Sequence, residues 1–384
     1  MSVLLHYLCI GLDYLLSFLL LGIGQAVNLL PRCAGEPVIP DTPGFRIVEE
    51  MGPGWNLAGT LESFYENDTG VGLETSWGNP VTTQAMLDMV QEMGFTCVRI
   101  PVTWGNHFID GQFTIDPAWM ARVQEVVDYA YNIGLYVILN AHNDDYYGYT
   151  LDPALEARTV QQYTRIWAQI SARFAAYGCR LLFEAINEPK VVDSLLAWNG
   201  GTVAQRQVLN RLNAAFVATV RAGDSENKTR WLLLPTHAAS YDPLAMRAFR
   251  LPEGDDRLIV SIHAYYPWEF AGAGAPDKTG YTAQDKKALD TMLGRIYDTF
   301  VRRGIPVYLG EFGCVDKNNL ADRLAYAKDY VTIARRYGMF CAWWDNSLLP
   351  EEEYNGASFA LLNRRALVWY QPELAKAMVD AARG

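Results

Sequence analysis

The sequence predicts a (β/α)8 barrel, the TIM-barrel fold, on three observations. Past residue 40, eight short apolar runs rich in branched and aromatic residues follow one another, and amphipathic stretches separate most of them. Alternating strands and helices indicate a parallel sheet, and eight repeats favour a closed barrel over an open, doubly wound sheet. The runs are also apolar along most of their length, as strands buried on both faces are. The open-sheet alternative lacks both a G-x-G-x-x-G after the first strand and a P-loop.

The eight strand candidates are spread along the chain at intervals that leave room for a helix between most of them. In order they are PGWNLAG (residues 53–59), TCVRIPV (96–102), LYVILNA (135–141), RLLFEAIN (180–187), RWLLLPT (230–236), RLIVSIHAY (257–265), IPVYLGEFG (305–313) and MFCAWWDN (339–346). Apolar residues at spacings of three and four predict helices near residues 82–93, 117–134, 154–177, 286–303 and 319–337, with a final helix near 372–382. Because no low-complexity linker interrupts this series, we expect residues 41–384 to form a single domain.

The N-terminal segment, residues 1–40, is set apart from the fold argument. Residues 14–26 form an apolar stretch that ends in Gly24-x-Ala26, which is similar to a signal-peptide core followed by a small-residue cleavage site. No Lys or Arg precedes the stretch, and Asp13 lies just before it. We favour a secretion signal and a linker, and therefore an extracellular protein. An uncleaved membrane anchor and a mis-started or engineered segment are the alternatives.

Composition and charge exclude some classes of function. The chain carries 32 Lys and Arg against 43 Asp and Glu, a formal net charge of −11. An acidic surface repels phosphate backbones, so nucleic acid is not an expected partner. None of the six Cys forms a C-x-x-C pair, which argues against a zinc ribbon or a thioredoxin-like site. The 11 Trp and 22 Tyr include flat apolar rings on which sugar faces can stack. Nothing in the sequence indicates a protein partner, and we expect a monomer.

Polar residues crowd at one end of the predicted strands. In a barrel of this kind the chemistry lies at the carboxyl ends of the strands, which converge on one mouth. A lone strand-end Glu is more often a solvated cap, and a lone His more often a core residue. Their joint occurrence at the same end of so many strands favours function. The candidates, strand by strand, are Asn56; Arg99; Asn140, His142 and Asn143; Asn187 and Glu188; His263 and Tyr265; Glu311; and Trp343, Trp344, Asp345 and Asn346.

Two barrel-end carboxylates suit the cleavage of a glycosidic bond. That reaction needs a proton donor for the leaving oxygen and a second carboxylate on the other face of the sugar. Glu188 and Glu311 end the fourth and seventh predicted strands, and long Glu side chains could meet across the mouth. Arg99 would keep the nucleophile ionised by charge pairing. Asn187 could bind the 2-hydroxyl, and a Trp of the eighth strand could form the sugar's floor.

These residues lie in an ordered set of motifs that resembles the retaining, cellulase-type glycoside hydrolases of family 5. The motifs are ILNAHN, FEAINEP, SIHAYYPW, YLGEFG and WWDNS. The stretches GWNLAGTLES and GLETSWGNP are similar to subfamily 4, the endo-β-1,4-glucanases that include xyloglucanases and lichenases. The resemblance spans residues 47–378, so residues 41–384 are expected to be one catalytic domain. It implies a β-glucan polysaccharide or oligosaccharide as substrate, with no cofactor and no metal.

The resemblance also implies a role for each matched residue. Glu188 would be the general acid/base, and Glu311 the nucleophile that forms a glycosyl-enzyme. Arg99 and Tyr265 would hold Glu311, and His263 would tune the proton of Glu188. The implied contacts of the sugar before the cleaved bond are His142, Asn187 and the platform Trp344. Trp55 and Asn56 of the first strand complete the expected substrate-binding set.

Three positions depart from the family pattern. Ala58-Gly59 replaces a common Gly-Asn, Asn143 replaces a second His, and Ser347 replaces a Gly. The first departure puts sugar affinity or preference in doubt, and none touches the two carboxylates. Glu184, four residues before Glu188, has no role at this stage beyond that of a buried partner.

Two other classes of function stay open on the sequence alone. One is a metal-dependent barrel hydrolase that would use His142, Asp144 or Asp145, and His263. The other is an inactive relative that binds carbohydrate without cleaving it. The choice among cellulose, mixed-linkage glucan and xyloglucan is also open, because it depends on the shape of the cleft.

Overall fold

The computed structural model describes residues 36–65, 68–223, 225–273, 278–350 and 357–384. The proposed signal peptide or anchor, up to residue 35, lies outside the described residues. Among the helices that are described, none combines the length and the apolar character that crossing a membrane requires.

Eight parallel strands form a closed barrel in which each strand pairs with the next and the eighth pairs with the first. This confirms the predicted fold class. The strands lie in the predicted order, although each is shorter than its apolar run. Their bounds are β1 Gly54–Leu57, β2 Cys97–Ile100, β3 Tyr136–Asn140, β4 Leu181–Glu184, β5 Leu232–Pro235, β6 Leu258–His263, β7 Val307–Phe312 and β8 Phe340–Asp345.

Helices follow most of the strands. Their bounds are α1 Pro43–Met51, α2 Gln84–Met93, α3 Pro117–Asn132, α4 Glu156–Arg173, α5 Val203–Arg221, α6 Pro243–Ala248, α7 Trp268–Ala271, α8 Ala283–Thr299, α9 Leu320–Arg336 and α10 Pro372–Arg383. The six helices predicted by residue range are present, with ends that differ by up to four residues. The side chains of Asp116, Thr202 and Thr282 accept hydrogen bonds from first-turn amides of α3, α5 and α8, which explains where these helices begin.

The helices α5, α6 and α7 lie within the predicted alternation of strands and helices, although no residue range was predicted for them. Two further elements lie outside that alternation. The helix α1 buries Phe45, Ile47, Val48 and Met51 at the amino-terminal end of the barrel. There Thr96, just before β2, donates from Oγ1 to the carbonyl of Met51 over 2.6 Å. After β8, a two-stranded hairpin pairs β9 Leu362–Asn363 with β10 Val368–Trp369. Both elements are short, and a short element gives little periodic pattern to detect.

The fourth strand ends earlier than predicted, and this changes the position of Glu188. β4 stops at Glu184, so the prediction that it ends at Asn187-Glu188 is wrong. The chain beyond it stays tied to its neighbours, because the amide of Ala185 donates to the carbonyl of Leu233 and that of Asn187 to the carbonyl of Ala141. Glu188 is therefore presented by a hydrogen-bonded loop at the carboxyl end of the barrel.

Candidate active site

Glu311 and His263 face each other across two adjacent strands. They are register partners on β7 and β6, and the register shifts beside each of them. Irregularities of this kind re-aim side chains and are frequent next to active sites. The result is that one imidazole nitrogen, Nδ1 of His263, lies 3.6 Å from a carboxylate oxygen of Glu311.

Glu188 reaches the same imidazole nitrogen from the loop after β4. Its Oε1 lies 3.0 Å from Nδ1 of His263. One polar atom each of Glu188, His263 and Glu311 lies within 4.8 Å of the other two. The two carboxylates differ in accessibility, because the side chain of Glu188 is 19% exposed and that of Glu311 is 6% exposed. The structure thus brings the predicted carboxylates together at the barrel mouth.

Glu311 accepts hydrogen bonds from two further side chains. Nη1 of Arg99 lies 2.7 Å from Oε1, and the hydroxyl of Tyr265 lies 2.9 Å from Oε2. Burial and the negative charges nearby, led by Glu311, raise the pKa of Tyr265, so it remains a phenol that can donate. Both Glu311 oxygens are therefore fixed, as the resemblance implied for Arg99 and Tyr265.

Beneath the two carboxylates, a buried polar layer holds Arg99. Its Nε donates to Glu184 over 2.6 Å, its Nη1 also to Asn56 over 3.0 Å, and its Nη2 to Asn187 over 2.8 Å. Glu184 accepts a further bond from Ser261 over 2.6 Å. A fully buried guanidinium requires such partners, because an unpaired charge inside a protein is costly. Glu184 is therefore the buried partner that the sequence suggested.

The pKa values of His263 and Glu188 are shifted in opposite directions. Burial opposes a charge on His263, but Glu311, Glu184 and Glu188 outweigh burial and raise its pKa to about 9. Burial tends to raise the pKa of Glu188, but the hydrogen bond and the charge of His263 outweigh burial, so the pKa of Glu188 is lowered. Both shifts favour an imidazolium beside a carboxylate, with 3.0 Å between Nδ1 of His263 and Oε1 of Glu188. Burial raises the pKa of Glu311, against the opposing charges of His263 and Arg99.

His142 and Trp344 form one wall of the mouth. Their rings are nearly parallel, at 16°, with centroids 5.7 Å apart. Burial lowers the pKa of His142 well below its usual value, and the charges of Arg99 and His263 act in the same direction. His142 is therefore a neutral ring that can accept or donate a hydrogen bond. The side-chain amide of Asn140 lies 3.2 Å from its Nδ1 and orients it.

Two cavities meet at Glu188. The smaller, of about 420 Å³, is lined by both carboxylates together with His142, Asn187 and Trp344. The larger, of about 730 Å³, is lined by Glu188 and His263 but not by Glu311. Trp198, which no sequence pattern indicated, lines both cavities at their junction. The mouth is therefore an elongated cleft that passes over the two carboxylates.

Trp55 and Asn56 lie below the cleft and do not fit the predicted role of substrate contacts. Both residues are fully buried. The indole of Trp55 donates to Asp345 over 2.8 Å. The side-chain amide of Asn56 donates to the carbonyl of Gly310 on β7 over 3.0 Å and to that of Ala342 on β8 over 3.3 Å. The prediction of direct substrate contact is therefore corrected: these side chains support the residues above them. Arg99 is likewise buried and reaches the cleft only through Glu311 and Asn187.

At two of the three departures from the family pattern, the side chain makes a hydrogen bond that ties neighbouring segments together. Ser347 has φ +55, a conformation that favours Gly. Its hydroxyl offsets the backbone strain by donating to the carbonyl of Leu362 over 2.8 Å. Asn143 donates to the carbonyl of Glu62 over 3.0 Å and so joins the loops after β3 and β1.

At the remaining departure, Gly59 has φ +73, and a Cβ there would meet the side-chain amide of Asn79. That amide donates to the carbonyls of Gly59 and Asn346. The close approach accounts for a Gly at this position, whatever its effect on sugar preference.

The metal-binding alternative does not find its expected ligand set. Oδ1 of Asp144 accepts the backbone amides of Trp104 and Gly105, at 3.0 and 2.5 Å. Within the described ranges, the one group of ligand-type side chains close enough to share a cation is Glu188, His263 and Glu311. The guanidinium of Arg99 already pairs with Glu311 at 2.7 Å. Despite burial, the carboxylates around His263 raise its pKa to about 9, whereas a metal ion binds the neutral imidazole.

Comparisons with known proteins find relatives over most of the chain. Residues 64–348 match the family model described as cellulase (glycosyl hydrolase family 5). The chain is 41% identical over 345 residues to the cellulase/esterase CelE of Acetivibrio thermocellus, covering 89% of this chain and 41% of that protein. It is 40% identical to endoglucanase A of Clostridium longisporum, covering 87% of this chain and 65% of that protein. The chain thus spans less than two thirds of the length of these two relatives.

A solved structure extends the likeness to the fold. The chain superposes with a TM-score of 0.84 on a GH5-4 broad specificity endoglucanase from Ruminococcus champanellensis with bound cellotriose. The two are 39% identical, and the match covers 89% of this chain and 99% of that chain. The match to the family model spans most of the barrel and includes both Glu188 and Glu311. The chain belongs to glycosyl hydrolase family 5, the cellulase family.

Proposed function

We propose that the protein is a retaining endo-β-1,4-glucanase that hydrolyses plant β-glucans by double displacement. The observation that carries the proposal is the approach of Glu188 and Glu311, whose nearest oxygens lie within 4.8 Å with one nitrogen of His263. Retaining enzymes hold the two carboxyl groups about 5–5.5 Å apart, whereas inverting enzymes leave about 6.5–9.5 Å for a water molecule. The separation in this protein favours the retaining class.

Glu311 acts as the nucleophile in this proposal. Its carboxylate attacks the anomeric carbon, the bond to the leaving sugar breaks, and a glycosyl-enzyme forms. Arg99 and Tyr265 hold both oxygens, so the attacking carboxylate needs no rearrangement. Water then breaks the new ester bond, and Glu311 is regenerated as a carboxylate.

Glu188 supplies and later recovers the proton. It protonates the leaving oxygen in the first step and deprotonates the attacking water in the second. The proton comes from the pair it forms with His263, since the 3.0 Å contact lets it pass from ring to carboxylate when a sugar excludes water. His263 is thus a positioning residue and a proton store, consistent with its burial beside three carboxylates.

The two cavities give the direction of the substrate chain. The sugar that becomes attached to Glu311 must occupy the smaller cavity, which both carboxylates line. The leaving sugar lies in the larger cavity, which is lined by the acid/base Glu188 but not by the nucleophile Glu311. Trp344 would stack on the attached sugar. Oδ1 of Asn187 accepts a hydrogen bond from Arg99, so the amide nitrogen Nδ2 remains to bind the 2-hydroxyl of that sugar. Room on both sides of the cleaved bond suits an endo mode of attack.

The substrate class follows from the family and from the aromatic side chains that line the cleft, among them Trp198, Trp268 and Trp344. The related endoglucanase is described as having broad specificity and was solved with cellotriose. We propose the same polymers for this chain: cellulose in soluble form, mixed-linkage β-glucan and xyloglucan. Because polymers of this size do not enter cells intact, we place the activity outside the cell.

The test is a product analysis with matched variants. Barley β-glucan, carboxymethylcellulose and xyloglucan are incubated with the protein and with Glu311→Gln, with xylan as the control polymer. We expect reducing ends from the β-glucans, no release by the variant, and a first product of β configuration by proton NMR. An α-configured first product would overturn the retaining mechanism. Release from none of the β-glucans would overturn the function and favour a non-catalytic carbohydrate-binding protein.

A further inference from the structure

The loop that presents Glu188 also carries a largely buried cation, Lys190. Its side chain is 13% exposed, and its ammonium donates to the backbone carbonyl of Glu188 over 3.1 Å. The same ammonium lies 3.6 Å from Oδ2 of Asp145, on the loop after β3, and 4.4 Å from the ring centroid of Trp198. Lys190 thus joins the acid/base, the neighbouring loop and an aromatic ring at one point.

The ammonium of Lys190 loses hydration in this position, and that loss has to be offset by its contacts. Burying an ammonium is costly unless its donors find acceptors, and Lys190 finds them in the Glu188 carbonyl and the Asp145 carboxylate. Asp145 is also largely buried, and burial raises its pKa despite the pull of Lys190. The pair is therefore not a solvated ion pair of the kind found on loops.

Trp198 is the other feature that calls for an explanation. The residue is 59% exposed, yet it lines both cavities where they meet. A large ring exposed on a loop needs a fixed neighbour to present one face to a ligand, and a cation over the other face provides it. The larger cavity, which we assign to the leaving sugar, begins at this ring.

We propose that Lys190 is a positioning residue of the glucanase reaction. It fixes Trp198 as the platform of the leaving sugar and assists proton release from the neighbouring acid/base by its positive charge. The inference rests on the proposed function, since it assigns the leaving sugar to the larger cavity. Neither effect requires Lys190 to touch the reacting atoms.

The electrostatic part of the inference depends on every charge that acts on Glu188. The charged groups beside it are His263 from β6, Glu311 from β7, Arg99 from β2, Asp145 from the loop after β3, and Lys190 itself. The phenol of Tyr265 also faces it, and Glu184 at the end of β4 acts on its partner His263. Burial raises the pKa of Glu188, and the cations His263, Lys190 and Arg99 lower it. Removing the charge of Lys190 must therefore strengthen proton binding by Glu188 and its partner His263.

The experiment compares two variants. Lys190→Met keeps a long aliphatic side chain but removes the positive charge, whereas Lys190→Arg keeps a long side chain and the charge. The pH dependence of kcat/KM is measured on cellohexaose, whose sugars fill both cavities. It is also measured on an aryl cellobioside with a good leaving group, which leaves the larger cavity without a sugar.

For Lys190→Met we expect the alkaline limb of the pH profile to move up by about half a pH unit or more. We expect KM for cellohexaose to rise about tenfold and the aryl substrate to be little affected. Lys190→Arg should keep the wild-type limb.

A purely structural role predicts another result. Equal losses on both substrates with an unmoved alkaline limb would overturn the proposal. A readout independent of turnover separates this failure from failure of the proposed function. The titration of the Glu188 carboxyl, followed by carbon-13 NMR and assigned with Glu188→Gln, should move upward in Lys190→Met even in a protein that cleaves no β-glucan. An unchanged titration would overturn the electrostatic part by itself.

Discussion

The guanidinium of Arg99 donates from Nε to Oε2 of Glu184 over 2.6 Å, and both side chains are fully buried inside the barrel. This contact fixes the plane of the guanidinium. The two remaining nitrogens then point to Glu311 and Asn187 at the mouth. A carboxylate with no place in the reaction therefore decides where the nucleophile lies.

Glu184→Gln should cost both stability and activity. The substitution keeps the size of the side chain but removes one of the two carboxylates that compensate the buried charge of Arg99. We therefore expect a loss of about 3 kcal/mol in the free energy of unfolding. Urea denaturation at pH 7 measures it. The control is Glu156→Gln, because Glu156 pairs with Arg211 near the surface, and an exposed pair contributes about 1 kcal/mol at most. Equal costs for the two variants would contradict the assigned role of Glu184.

The two carboxylates should respond differently to the leaving group. Glu188→Gln removes the proton donor, so we expect cleavage of cellotetraose to fall by about 10²–10⁴. An aryl cellobioside with an acidic phenol needs no such proton, so its first step should stay near the wild-type rate. Glu311→Gln should abolish both reactions, since the covalent step has no substitute. Single-turnover release of the phenol measures the first step directly. A Glu311 variant that still released the phenol would contradict its assignment as the nucleophile.

The sequence was sufficient for the barrel and for most of the mouth. Continuous apolar runs and the polar residues that follow them are local patterns in the sequence, and a closed parallel barrel brings the carboxyl ends of its strands together. Glu188, Glu311, His142, His263, Tyr265 and Trp344 were found in this way. Glu184 was noticed as a charge four residues deeper, but its partner Arg99 lies 85 positions away in the chain, and only the fold joins them.

The residues whose roles were predicted wrongly or not predicted at all also have physical reasons for it. Trp55 and Asn56 sit at a strand end, but sequence does not reveal whether such a side chain is covered by neighbouring strands. Lys190 and Trp198 belong to a loop with no periodic pattern, so their convergence on Glu188 was invisible. Arg364 is similar: from the hairpin segment after β8 it donates to the carbonyls of Ala58 and Asp345 and covers the ring of Trp55 at 4.9 Å.

Activity should follow a bell-shaped pH profile with limbs of known origin. Glu311 must be ionised, and burial raises its pKa above the ordinary value, so the acid limb should lie above pH 4.5. The alkaline limb belongs to the proton shared by Glu188 and His263, whose ring has a pKa of about 9. The profile of kcat/KM on cellotetraose from pH 4 to 10 tests this. A flat profile from pH 4 to 9 would contradict the coupling of the two carboxylates.

His263 should also make stability depend on pH. Its pKa is about 9 in the folded protein, against an ordinary value of 6.5. The stability it contributes is therefore fully present below pH 6.5 and is lost as pH rises through about 9, by at most about 3 kcal/mol. Urea denaturation at pH 6 and pH 9 should show a larger fall for the wild type than for His263→Gln. A parallel fall in both proteins would mean that the ring is neutral throughout.

Trp344 should be needed for every substrate, whereas Trp268 should be needed only for some. Trp344 lines the smaller cavity and Trp268, 51% exposed, lines the larger one. An aryl cellobioside places its sugars on the side of Trp344 and none beside Trp268. We expect Trp344→Ala to lower kcat/KM about 100-fold on both this substrate and cellohexaose, because the stacked ring is lost in each complex. Trp268→Ala should lower it on cellohexaose alone, by about tenfold. Trp344→Phe, which keeps a ring face, should recover much of the loss. If Trp268→Ala impaired the aryl substrate and Trp344→Ala did not, the assignment of the two cavities would have to be reversed, and with it the direction in which the glucan chain crosses Glu188.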